Sequence, residues 1–273
     1  TTLLRVVGKG DEAVVRIVSL VPSLTDTVCA LGLQELVVGI TGFCVKPPDI
    51  HRTATKIGGT KDPDLAAIAA LKPTHILTND EENKPEHIVA CEKIAKTFRC
   101  FPRSVKEGLE LLGGIGEFCG VGAVGQKFQA EAEQLYRGLK ERGGEAPQTV
   151  VYFVWKDPYM VASADTYISE MLGLVQLENV VSEGSTRYPE ISPADVAKLE
   201  ADLLLFSSEP FPFRRRDIES FAKAWPGGRR MPQTAKIDGQ MMSWYGITQL
   251  EALREMKLYL EGRDQKLIRP LKR

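Results

Sequence analysis

The sequence predicts an α/β protein with two lobes, each built on a parallel, doubly wound sheet. Three observations lead there. Short β-branched runs alternate with helical segments along most of the chain, the pattern of strands joined by crossover helices. One long helix near 124–142 interrupts the alternation, and a second alternating series follows it. The length of 273 residues suits about two domains, and 43% apolar with 26% charged residues is enough to bury a core.

In order, Val14 to Val21 (VVRIVSLV) has the apolar character of a buried parallel strand. Pro22 stops it, Ser23 or Thr25 can cap a helix through Leu31, and Gly32 is a stop signal. Val37 to Ile40 reads as a second strand and is followed by a long loop. Then come helix 63–71, strand 75–78, helix 86–96, strand 97–101 and helix 104–118. In Val124 to Arg142, apolar Phe128, Ala132, Leu135 and Leu139 recur at helical spacing, and Gly143-Gly144 ends the run. The second series reads as strand 149–155, helices 165–172 and 193–199, strand 202–207, helix 215–224, strand 234–237 and closing helix 247–260. The expected organisation is an N-terminal lobe over 14–122, a connecting helix over 123–144 and a C-terminal lobe over 147–273.

The halves echo each other: residues 68–79 and 196–207 share a helix–loop–strand layout at low identity. Both strands run into polar loops with carboxylates, Glu81 and Glu82 in one and Glu209 in the other. Ligands of open α/β sheets bind outside the carboxyl ends of strands, so these loops are expected to line one cleft. The chain is only 7% aromatic, yet Trp155, Phe211, Phe213, Trp244 and Tyr245 all fall at such loops. Trp244-Tyr245, between Gly239 and Gly246, offers flat contact area to a planar ligand or plugs the space under the last helix. Glu209-Pro210-Phe211-Pro212-Phe213 is stiffened by two prolines and presents its side chains with little ordering entropy left to lose. Cys44 is the one cysteine in an expected cleft loop, where a thiolate beside Lys46 would suit a soft metal; an inert thiol is the other reading.

Several functions lose support. Lys plus Arg number 35 against 36 acidic residues, so no basic excess exists for nucleic acid. Phosphate-loop, nucleophile-elbow and zinc-protease motifs do not occur. Gly113-Gly114-Ile115-Gly116 follows a helix, which is the wrong context for a dinucleotide loop. Glu81, Glu82 and Glu209 would serve as acid and base only if they faced one another. Five cysteines, with no C-x-x-C pair, favour buried thiols in a reducing compartment. The first sixteen residues contain no apolar stretch of signal-peptide length, and no apolar run reaches the roughly 18 residues that span a membrane.

Arg16-Ile17-Val18-Ser19-Leu20-Val21-Pro22-Ser23-Leu24-Thr25-Asp26, with Ala30-Leu31-Gly32, resembles the start of class III periplasmic binding proteins, especially vitamin B12 (cobalamin) binding proteins of ABC importers. Val38-Gly39, Gly58-Gly59-Thr60, Asp64 to Leu71 with Lys72-Pro73, and Asp238-Gly239 extend the likeness over about residues 14–260. The resemblance implies two Rossmann-like lobes joined by a single long helix, a ligand cleft between the lobes, no enzymatic activity and a periplasmic location. It implies a corrinoid or metal chelate as ligand, with cobalamin or another metal-containing molecule bound as cargo and no required cofactor. In such proteins aromatic residues flank the corrin: Ser243-Trp244-Tyr245-Gly246 supplies one side, and Thr60-Lys61 stands where a tryptophan is usual on the other. The acidic position that docks on a permease falls at Ala66, and Gly246-Ile247-Thr248 replaces the usual Gly-Pro-Arg. A monomer without nucleic-acid partners is expected. The alternative is a cytosolic enzyme or ligand sensor that reuses the fold without a transporter, which free cysteines and the missing docking acids favour.

Overall fold

The computed structural model describes residues 14–142, 146–182, 184, 186–263 and 267–270. Gly143-Gly144, the expected helix stop, and the N-terminal segment to residue 13 lie outside them. The chain divides into two compact units. One comprises the chain up to Pro102 with Gly108–Ala130 and Tyr245–Thr248; the other comprises Arg103–Glu107, Glu131–Trp244 and the chain from Gln249 onward.

The first unit is built on a five-stranded parallel sheet: β1 (Ile17–Ser19), β2 (Val37–Ile40), β3 (Thr55–Lys56), β4 (His75–Asn79) and β5 (Lys96–Cys100), in the order β3-β2-β1-β4-β5. Ile17, Val18, Leu20, Ile40, Ile57, Ile68, Ile76 and Leu77 are fully buried, as strands covered on both faces require. The helices are α1 (Pro22–Val28), α2 (Ile50–Thr53), α3 (Leu65–Ala70), α4 (Pro85–Ile94), α5 (Val105–Phe118) and α6 (Gly122–Lys140). Neither Ser23 nor Thr25 caps α1. Pro22 occupies the first turn, where its missing N–H costs nothing, and the Thr25 hydroxyl donates back to Val21 O at 3.0 Å. Asp64 caps α3, its carboxylate accepting from Ala67 N at 2.9 Å. Both α5 and α6 change unit part-way along their length, α6 between Ala130 and Glu131.

The second unit holds a mixed six-stranded sheet: β6 (Gln148–Trp155), β7 (Met160–Val161), β8 (Leu177–Asn179), β9 (Leu203–Ser207), β10 (Gln233–Ile237) and β11 (Ile268–Pro270), in the order β11-β10-β9-β6-β7 with β8 also on β6. Strands β10, β9, β6 and β8 are parallel; β7 and β11 are antiparallel additions at the edges. Its helices are α7 (Tyr167–Gly173), α8 (Pro193–Val196), α9 (Arg215–Lys223), α10 (Gly239–Ser243) and α11 (Ile247–Leu260). The core is aromatic: Phe153 stacks on Phe206 at 4.6 Å, with Phe213 and Phe221 edge-on around them.

Candidate ligand-binding site

In each unit the parallel strands send their carboxyl ends to one side of the sheet, so the loops that follow them share a face.

In the first unit, the loop after β4 is knit by two asparagines. Asn79 Oδ1 accepts from the amides of Glu81 and Glu82 at 2.8 and 3.1 Å, and Asn83 Oδ1 accepts from Asn79 N. Asn83 Nδ2 donates to Thr60 O at 2.9 Å and Leu20 O at 3.3 Å, which fastens this loop to those after β3 and β1. Thr60 is therefore buried and acts through its backbone. Lys61 is exposed and donates to Glu81 O at 2.5 Å. The Glu81 carboxylate accepts from the Tyr245 hydroxyl at 3.3 Å. Thr60, Lys61, Glu81, Glu82 and Tyr245 thus come together.

Cys44 requires a correction. It is fully buried, with Sγ 3.1 Å from Thr25 Oγ1 and 3.3 Å from Thr41 Oγ1. Burial raises its pKa even though both hydroxyls favour the thiolate, so the thiolate expected in an open cleft loop gives way to a buried, protonated thiol held between two hydroxyls. Its neighbours Phe43 and Val45 point outward instead, 64% and 48% exposed, and the Phe43 ring lies beside Gly59. Phe43 is not among the aromatics expected at cleft loops, and its one signal in the sequence is an aromatic beside Gly42 directly after β2.

In the second unit, Trp155 ends β6 and stays 40% exposed, its ring edge-on to Phe211 at 5.7 Å. Phe211 N donates to Val154 O at 3.3 Å, which holds the loop after β9 against β6. Glu209 sits at the hub of this face. Its two carboxylate oxygens accept from Gln240 Nε2 at 2.9 Å and Trp244 Nε1 at 3.0 Å. Ser207 positions it: the Ser207 hydroxyl donates to Glu209 O and accepts from Glu209 N at 3.1 Å and from the Tyr152 hydroxyl at 3.0 Å. Gly239 lets the start of α10 approach this turn, since a Cβ there would lie 2.6 Å from Glu209 N. Asp238 caps α10 by accepting from the amides of Gln240 and Met241.

Two more expectations change here. Phe213 is fully buried in the aromatic core and is a packing residue. Trp244 does not sit in an open loop: it closes the short helix α10, is 8% exposed and spends its N–H on Glu209. Its place is behind the carboxylate; Trp155 is the exposed ring. Beside Trp155, Lys156 donates to the buried Asp217 at 2.9 Å. No group of three or more metal-ligating side chains occurs among the described residues, and no helix among them is long and apolar enough to cross a membrane.

Comparison with known proteins adds four findings. The sequence profile of the "Periplasmic binding protein" family matches residues 17–261. The vitamin B12-binding protein of Vibrio campbellii is 23% identical over 194 residues, 70% of each chain. Among solved structures, a periplasmic heme-binding protein from Roseiflexus sp. RS-1 superposes with a TM-score of 0.75 at 21% identity, over 93% of this chain and all of that one. The periplasmic vitamin B12 binding protein of Vibrio cholerae gives 0.71 at 16% identity, over 91% and 97%. These likenesses establish a shared fold.

Proposed function

The chain belongs to the periplasmic binding protein family, and on that premise we propose that it captures a corrinoid, a molecule of the cobalamin class, as the cargo of an ABC importer. The observation that carries this reading is the exposed Trp155, set edge-on against Phe211 and next to a loop whose carboxylate is held in place. A rigid ring exposed at a strand end offers flat apolar contact area, and a flat macrocycle matches its face. The B12-binding relatives support the choice of ring. An iron porphyrin is the second reading, favoured by the fold shared with heme-binding proteins. The proposed partner is the importer's permease. Exposed Ala66 on α3 offers it no charge, and nearby Asp64 is engaged as the helix cap.

Titration with cyanocobalamin, followed by absorbance and calorimetry, tests the proposal. Binding at micromolar or lower concentration is expected, and Trp155→Ala should cost about 1 kcal/mol, roughly fivefold in affinity. No heat and no spectral shift with corrinoids would sink the corrinoid reading.

A further inference from the structure

Resting on the solute-binding reading, we infer that Glu209 sets ligand choice by the side chains a macrocycle carries: it accepts from ligand N–H groups and turns away ligand carboxylates. Glu209 receives its two hydrogen bonds from neutral donors, an amide and an indole, so its charge is positioned without being cancelled. A carboxylate has about four acceptor sites, and two remain for an incoming donor. Lys156, which follows the adjoining strand β6, is committed to Asp217 and to Asp157 at 4.0 Å. Asp238 adds a second carboxylate at the end of the neighbouring β10. Two carboxylates, Glu209 and Asp238, thus stand at neighbouring strand ends, and neither is ion-paired among the described residues. A ring bearing carboxamides brings the donors it needs; a ring bearing carboxylates meets like charge.

Ring stacking and side-chain selection separate cleanly if the ring is held constant. Calorimetric affinities for dicyanocobinamide, whose corrin carries amides and no nucleotide loop, would be compared with those for dicyanocobyrinic acid, the same ring with free carboxylates, and for hemin. Wild-type protein should prefer dicyanocobinamide over dicyanocobyrinic acid. In Glu209→Gln that preference should fall by about ten- to hundredfold, the size of a hydrogen bond to a charged group. Glu209→Lys should reverse it. Circular dichroism of both variants checks that they fold. A purely structural role would weaken all three ligands together and leave the ratio unchanged in both variants, and that result overturns the assignment to Glu209. If the wild-type protein binds none of the three, the solute-binding reading of this face fails. If it binds hemin and neither corrinoid, the corrinoid choice fails, and the Glu209 rule falls with it because hemin carries carboxylates.

Discussion

A buried thiol and an exposed ring stand one residue apart at Phe43-Cys44, and their opposite fates show what decides a side chain's role. The Cys44 thiol has two hydroxyls for company and no water, while Phe43 is left outside. The other cysteines share the chemistry of Cys44: burial pushes Cys29, Cys100 and Cys119 up to about 12 and Cys91 to about 11. Thiolate is the reactive form, so alkylation by iodoacetamide near neutral pH should be slow at all five sites in the folded protein and complete in denaturant. Mass spectrometry of the labelled protein checks this, and rapid native labelling of Cys44 would contradict the burial assigned to it. Which residue of such a pair faces inward was not legible beforehand, because no periodicity governs an irregular loop. The same limit explains Phe213: its spacing from Phe211 matches an exposed platform and a core contact equally, and the packing of Phe153, Phe206 and Phe221 decided for the core.

At the level of elements, the glycines of α5 show where a motif misleads and where geometry explains it. Gly113-Gly114-Ile115-Gly116 has the glycine richness of a dinucleotide loop but serves to bring α5 and α6 together. A Cβ on Gly116 would lie 2.9 Å from Gly125 Cα, and one on Gly125 would run into the Leu112 carbonyl. Gly138, on the same helix, faces open space. Gly125→Ala should therefore destabilise the protein by about 1–3 kcal/mol through overpacking, whereas Gly138→Ala should stabilise it by about 0.5–1 kcal/mol. Urea unfolding of the two variants measures both signs. Two elements were readable to within one or two residues: β9 at 203–207 from its unbroken apolar run, and α11 at 247–260 from its run of strong helix formers. Elements made by context were not. α2, β3, β7, β8, β11 and α10 are two to five residues long, too short for a period to show. α10 in particular depends on the Asp238 cap and on Gly239's close approach to Glu209, both set by tertiary contacts.

Across the whole molecule, a net charge of −1 hides an uneven arrangement of carboxylates. In the second unit, Asp217 is held below its ordinary value of 3.8: burial opposes this, but hydrogen bonds from Arg214 N and Lys156 outweigh it. Asp202 is also held low, mainly by the Thr149 hydroxyl and amide. A carboxylate with a lowered folded pKa contributes stability that is complete above the unfolded value and disappears as pH falls through the folded one. Asp202→Asn with Asp217→Asn should thus lower the urea midpoint near neutral pH and lose its deficit against the wild type well below pH 3.8. Circular dichroism at both ends of that range provides the check; an equal deficit at both would refute the linkage. The two-unit division also has an optical consequence. All three tryptophans of the chain, Trp155, Trp225 and Trp244, belong to the second unit. Intrinsic indole emission therefore follows the unfolding of that unit alone, while the first unit stays dark until an indole is introduced there, with exposed Phe43 the natural place to put it.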